Sequence, residues 1–199
     1  DVGASPKRGV IFAGSGAEAV AICLMHAYAN PDHERQLRKL LQKALPELVI
    51  SVSHEVSPEA REFDRLSTTI ANAYIQPLMA RYLSSFRTRF VDEGLTCPIL
   101  MMTAGGGMTT IETAARLPIR LVESGPAGGA ILAARIAAKT GAREVLSLDM
   151  GGTTAKLCLI DDYRPQTARK FEIARAARIV KGSGMPVRIH WFHLQSWVQ

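Results

Sequence analysis

Cysteine is scarce in this chain: Cys23, Cys97 and Cys158 are scattered over 199 residues. An odd number of distant cysteines in apolar surroundings argues against a disulfide framework and predicts reduced, buried thiols in a cytoplasmic protein. Long hydrophobic runs are missing too. No uninterrupted apolar stretch approaches the roughly 20 residues of a membrane span, and no basic-then-apolar leader opens the sequence, so a soluble protein with no membrane partner is expected. There is no repeat of fixed period and no low-complexity segment. Hydrophobic residues at 47% and charged residues at 21% instead match an ordinary globular chain with a real core. Most of the chain also lacks a charge excess. The formal net charge is +6, and residues 163–199 supply all of it with seven cations against Glu172, leaving 17 of each sign elsewhere. Without a basic face in the body or a reader motif, a nucleic-acid partner is not expected.

What is there alternates between strands and helices. Residues 19–25 and 48–52 are apolar runs suited to buried strands. Between them Pro31 opens a helical pattern marked by Leu37, Leu40, Leu41 and Leu45. Residues 57–94 carry the longest helical period, with Ile70, Tyr74, Leu78 and Tyr82 predicted to face a core and Pro77 to kink the helix. The charge run Glu59, Arg61, Glu62, Asp64, Arg65 reads as its solvated start, and His26 as a structural histidine. Further on, residues 98–102 predict a strand, 110–116 a short helix, 119–122 a strand and 130–139 a helix of small residues. Strands at 145–148 and 155–160 return on each other around Gly151-Gly152. The fold class that follows is α/β, a mixed sheet flanked by helices.

Three glycine clusters punctuate this order. In the first, Asp149-Met150-Gly151-Gly152-Thr153-Thr154, an acid ends an apolar strand before two glycines and two hydroxyls. Glycines let backbone N–H groups approach phosphate, threonine hydroxyls donate to it, and a carboxylate holds hydrated Mg²⁺ beside it. A ligand-free tight hairpin accounts for the same residues equally well. In the second, residues 123–129 (ESGPAGG) precede a helix and suit either an anion or close helix packing. The third, residues 103–107, ends a strand, where ligands of open α/β sheets gather. Lys156 either reaches phosphate or faces solvent, and Arg61 and Arg65, one helical turn apart, are spaced to meet a carboxylate.

The order of these clusters resembles the second half of the nucleotide cleft in the actin/sugar-kinase/heat-shock ATPase superfamily. Residues 26–34 (HAYANPDHE), 57–62 (SPEARE), 67–74 (STTIANAY) and 148–156 (LDMGGTTAK) narrow this, over about residues 17–188, to a resemblance to the hydantoinase A/5-oxoprolinase family. That resemblance implies part of a two-lobed, actin-like (ribonuclease H-like) ATPase fold, incomplete here. It divides the chain into a lead-in (1–16), the remainder of a first lobe with its connecting helix (17–140), the start of a second lobe (141–189) and an atypical tail (190–199). It implies ATP and Mg²⁺ as cofactors, Asp149 as catalytic residue and metal ligand, and Gly105, Gly106, Gly125, Gly128, Gly151, Gly152, Thr153 and Thr154 around the phosphates. The implied substrate is a cyclic amide of the hydantoin or 5-oxoproline class, and the implied partner a hydantoinase B-type subunit or domain. Two departures stand out: the family's first phosphate loop has no counterpart before Asp149, and the text after Ile189 (HWFHLQSWVQ) leaves the family pattern. The isolated chain is therefore expected to be inactive, with Trp191, Phe192 and Trp197 lacking a surface to pack on. The β subunit of a ketone carboxylase and a degenerate binding module are the alternative readings.

Overall fold

A computed structural model of the chain describes residues 15–152, 154–173 and 184–198. It is mixed α/β, with its described strands distributed over four small sheets. Strands β1 (Ala19–Ile22) and β2 (Val49–Val52) pair in parallel across helix α1 (Asp32–Ala44), the expected strand–helix–strand unit. Ile22, Leu48, Ile50 and Val52 form its core against Leu37, Leu41 and Leu45, the apolar stripe of α1. After the short turn of helix α2 (Ser53–Val56) comes α3 (Glu62–Asp92), which runs through Pro77 without interruption.

Helix α3 is inverted relative to its sequence pattern. Phe63, Leu66, Ile70, Tyr74, Leu78 and Tyr82 lie exposed, Tyr74 at 85%. The opposite face buries Arg65, Thr68, Thr69 and Asn72 at 0% exposure. The predicted core stripe thus faces outward, because the inner face has a partner for its polar atoms. Asn72 Nδ2 donates to Ser51 Oγ (3.0 Å) and to Arg116 O (3.1 Å), its Oδ1 accepts from Ile119 N (3.2 Å), and Ser51 Oγ donates to Gln76 Oε1 at 2.6 Å. Buried polar groups satisfied in this way cost little, whereas any one left unpaired would cost about 1–3 kcal/mol.

Strands β3 (Leu100–Met102) and β4 (Met108–Thr110) form a hairpin closed by Gly105-Gly106-Gly107, leading into helix α4 (Ile111–Arg116), capped by Thr110 Oγ1. Residues 119–122 are not a strand. Pro118–Leu121 is a 3₁₀ turn opened by Pro118, whose fixed φ suits a helical turn, and Asn72 takes the N–H of Ile119 that a ladder would need. Helix α5 (Ser124–Thr140) begins earlier than residue 130, so Gly125, Gly128 and Gly129 lie inside its first turns. Its N-cap, Glu123, is left-handed (φ 60°), and its C-cap is Gly141 (φ 75°), the residue type that takes this conformation without steric cost.

The second half is antiparallel. β5 (Glu144–Met150) and β6 (Thr154–Asp161) form the predicted hairpin, extended on the other side of β6 by β10 (Leu194–Val198) and by the two-residue β7 (Arg164–Pro165). β8 (Thr167–Ile173) pairs with β9 (Met185–Phe192). The tail is consequently not a stray appendage. Trp191 (9% exposed) and Phe192 (7%) sit in the main core with Val187, Ile189, Leu194, Cys158, Ala127 and Ala130. Alternation along β9 supplies an inner face whatever the residues' departure from the family text. Among the thiols, Cys158 is buried and pushed up by desolvation, but Cys97 is exposed, since it follows the end of α3 in an open connection.

Candidate functional site

Asp149 lies near the end of β5, paired across the ladder with Lys156. The side chain of Asp149 is exposed, and among the described residues its carboxylate has no hydrogen-bond or ion-pair partner. The Nζ of Lys156 meets Glu123 Oε1 at 2.6 Å, with both side chains largely buried. Glu123 is the N-cap of α5, so this ion pair ties the Asp149 hairpin to the start of the small-residue helix. Lys156 is therefore neither a free phosphate ligand nor a solvated lysine. Two of the three glycine clusters are joined by it.

The third cluster is joined by packing. A Cβ at Gly128 would stand 3.4 Å from Met102 Sδ, so α5 rides against the β3–β4 hairpin at this glycine. Ala104, in the hairpin turn, donates to Arg120 O (2.8 Å) and accepts from Phe192 N (3.1 Å). The predicted glycines then divide by what surrounds them. A Cβ at Gly105 would strike His190, at 2.9 Å from its ring, and one at Gly106 (φ 80°) would strike Ile131 and Phe192 at 2.6–2.7 Å. Gly105 and Gly106 are small because protein atoms fill the space, whereas a Cβ at Gly128 would make ordinary contact with Met102. Around Gly125 and Gly152 nothing lies within 4 Å, and Gly151 meets only Thr154 O at 3.9 Å. These three border open space near Asp149 and at the helix start. Thr154 opens β6, while Thr153 lies outside the described residues.

Sequence reasoning missed a buried polar network among α1, α2 and α3. Glu34, on the first turn of α1, is 0% exposed, and its carboxylate accepts from Leu24 N (2.9 Å), Ser53 Oγ (2.6 Å), His54 N (3.0 Å) and His54 Nδ1 (2.7 Å). Burial by itself would push Glu34 up. The hydrogen bonds from Ser53, Leu24 and His54 together outweigh it and hold the group below the usual carboxylate range, so Nδ1 of His54 carries the proton it donates. Ser53 Oγ in turn accepts from Arg65 Nε at 3.1 Å, and the Arg65 guanidinium donates to Glu59 O and Leu24 O, each at 2.8 Å. Arg65 is thus a buried keystone and not a solvated helix-start charge. Asp64 and Glu59 from the same run bind Arg188 of β9 at 2.8 and 2.7 Å. No sequence signal separates Asp64 and Glu59 from solvated charges, because their partner Arg188 lies 124 and 129 positions away. His26, by contrast, is an exposed turn residue with φ 56°.

The geometry is thus that of a mixed α/β chain in which an acid-tipped strand hairpin is pinned to the start of a small-residue helix. The family model described as Hydantoinase/oxoprolinase matches residues 65–196, and the Hydantoinase/oxoprolinase N-terminal region matches residues 11–45. The chain belongs to the hydantoinase/oxoprolinase family. An uncharacterized protein of Methanocaldococcus jannaschii is 36% identical over 180 residues, 89% of this chain and 26% of that protein. The caprolactamase subunit alpha of Pseudomonas jessenii is 30% identical over 158 residues, 79% of this chain and 23% of the subunit. In fold, the chain is similar to nucleotide-free acetone carboxylase, with a TM-score of 0.81 at 22% identity over 96% of this chain and 26% of that one. The chain thus spans about a quarter of the length of these relatives. Among the described residues no helix is long and apolar enough to cross a membrane.

Proposed function

We propose that the chain is the phosphate-handling part of an ATP-dependent cyclic-amide hydrolase of the hydantoinase/5-oxoprolinase type. The observation that carries this is the carboxylate of Asp149, without a partner among the described residues, beside the open turn of Gly151 and Gly152 and tied to the start of α5 through Lys156 and Glu123. The donor set fits magnesium and nucleotide. Among the described residues no group of three or more His, Cys, Asp or Glu is assembled, and Mg²⁺ characteristically takes one or two carboxylates, with water and phosphate oxygens completing its shell. Asp149 would hold the ion, Gly151, Gly152 and Thr154 the phosphates, with Thr153 in the same role, and Gly125 would leave room at the helix start. Gly105 and Gly106 serve this site indirectly, by letting the β3–β4 hairpin and β9 pack against α5, and Gly128 faces Met102 of that hairpin.

ATP would supply activation of the ring carbonyl by phosphorylation, which an unstrained amide needs before water can open it. The chain's own residues would position and neutralise: Asp149 presents its charge at the hairpin tip, and the Lys156–Glu123 pair fixes the hairpin against the helix so that the tip cannot drift. Such positioning dominates phosphoryl-transfer catalysis, where misplacement by about 1 Å costs on the order of a hundredfold. In this reading residues 17–140 complete a first lobe, residues 141–189 open a second, and a hydantoinase B-type subunit or domain completes the enzyme. That a relative, the caprolactamase subunit alpha, is one subunit of an assembly supports such a partner.

Calorimetric titration with Mg-ATP is the test, followed by ring opening of hydantoin and 5-oxoproline with and without the B-type subunit. Asp149→Ala should weaken Mg-ATP binding by about tenfold or more while leaving the melting temperature within roughly 2 °C, because an exposed, unpartnered carboxylate contributes little to stability. Unchanged binding in that variant would sink the assignment. Acetone with bicarbonate in the same turnover assay separates this function from the ketone-carboxylase one.

A further inference from the structure

A second concavity, of about 470 Å³, opens between the segment after α2, the β3–β4 hairpin and β9. Asp149, Gly151 and Gly152 do not line it. Its walls are apolar at Val56, Pro58, Met108 and Ile189, and its charged lining comes from Glu59, Arg120 and Arg188. The two last cations differ sharply. Arg188 is neutralised by Glu59 at 2.7 Å and Asp64 at 2.8 Å. Arg120 has no ion pair among the described residues. It donates from Nη2 to the backbone carbonyl of Glu55 at 3.2 Å, while the Glu55 carboxylate is taken by Arg38 at 2.8 Å and that of Glu123 by Lys156. Arg120 is partly buried, and desolvation, with a smaller contribution from Arg116, pushes its guanidinium below its ordinary value.

A desolvated guanidinium with every nearby acid committed elsewhere is stabilised by an anion brought from outside. Its planar fork suits a carboxylate, which can accept two parallel hydrogen bonds. The apolar walls suit the methylenes of a small ring, and the volume lies within the usual range for small-molecule sites. The hydroxyls of Ser57 and Thr103 donate to Arg188 O and Gly107 O, which leaves their lone pairs to accept a ring N–H. A short stretch of chain connects Arg120 in the concavity to the Lys156–Glu123 pair. Arg120 precedes Glu123 by three residues, a Cα separation of at most about 11 Å, and Glu123 is bonded to the ladder partner of Asp149.

We propose that this concavity binds the carboxylate of a cyclic-amide acid through Arg120, so that the substrate is an anionic lactam of the 5-oxoproline kind and not a neutral ring. The ring rests on the function proposed above; the carboxylate rests on Arg120 and the cavity alone. The test is calorimetric titration of the full chain, without nucleotide, by 5-oxoproline and by 2-pyrrolidinone, the same ring lacking the carboxylate. 5-Oxoproline should bind at least tenfold tighter, and Arg120→Gln, checked for folding by circular dichroism, should weaken it about ten- to a hundredfold, the loss expected for a charge-assisted hydrogen bond. Glu59→Gln provides the opposite arm: it removes the negative charge of the cavity's one lining carboxylate, Arg188 keeping Asp64, and should tighten 5-oxoproline binding several-fold even if the Arg120 variant does not fold. Equal binding of the two rings, unchanged affinity in Arg120→Gln, or no gain in Glu59→Gln overturns the proposal. So does inorganic phosphate or bicarbonate binding as tightly as 5-oxoproline, which would make the concavity a general oxyanion site. If Mg-ATP binds and 5-oxoproline is not distinguished from 2-pyrrolidinone, this inference fails while the proposed function stands; the reverse result separates them the other way.

Discussion

Gly106→Ala should be the most damaging single-methyl addition in the chain. Two costs add. Gly106 has φ 80°, where an alanine is strained by about 1–2 kcal/mol relative to glycine. Its new methyl would then stand 2.6 Å from Ile131 Cδ1 and 2.7 Å from Phe192 Cε2 and Cζ, contacts that real Cβ atoms do not tolerate. Ile131 is partly buried and can swing its terminal methyl aside. Phe192 is held in the core at 7% exposure and cannot. Overpacking of this kind costs about 1–3 kcal/mol, so the total is roughly 2–5 kcal/mol. At about 2–4 °C per kcal/mol for a domain of this size, the melting temperature should fall by on the order of 10 °C in a circular-dichroism melt. Gly125→Ala is the control: nothing lies within 4 Å, the residue is helical, and alanine there should raise the midpoint by roughly 1–3 °C. Adding Ile131→Val to Gly106→Ala removes the clashing Ile131 methyl, leaving the Phe192 ring, and should recover part of the loss. A Gly106→Ala variant melting within 2 °C of the parent would refute the reasoning, since neither the left-handed backbone nor the packed ring would then constrain this turn.

Three further outcomes follow from the buried groups. Because the folded-state pKa of Glu34 is depressed, its contribution to stability is fully present above the ordinary value of 4.5 and is lost as pH falls through the lower folded value. Chemical-denaturation midpoints should therefore drop below pH 4.5 in the parent, and less steeply in Glu34→Gln, which should itself cost about 2–3 kcal/mol at neutral pH by weakening hydrogen bonds made to a charge. Alkylation followed by mass spectrometry should modify the exposed Cys97 well before the buried Cys158, whose thiol desolvation keeps protonated; equal rates would contradict the packing around β6. Arg65→Met should destabilise by about 3–5 kcal/mol in the same denaturation assay, since it takes the donor from the Ser53 hydroxyl and from two backbone carbonyls at a buried site, and a loss under 1 kcal/mol would mean the network is not a keystone.

Local patterns in the sequence settled a good deal. The strand–helix–strand unit over residues 19–52 and the Asp149 hairpin were legible because each is built from near neighbours, where apolar period and a Gly-Gly turn act without help from the rest of the chain. The family was legible from the order of short motifs. Helix α3 shows where such reading stops. Period placed a helix within residues 57–94, yet which face turns inward depended on Ser51, Ser53, Arg116, Ile119 and β9 being there to satisfy Asn72, Arg65 and Thr68. Only the tertiary structure sorted the glycines, since a missing side chain looks the same in sequence whether it makes room for a phosphate, as proposed for Gly151, or for Phe192, as at Gly106. The same holds for charge: Arg120 and Arg188 are indistinguishable as letters, and the tertiary structure alone gives one two carboxylates and leaves the other a cavity, because ion pairing is set by distance in space and not along the chain.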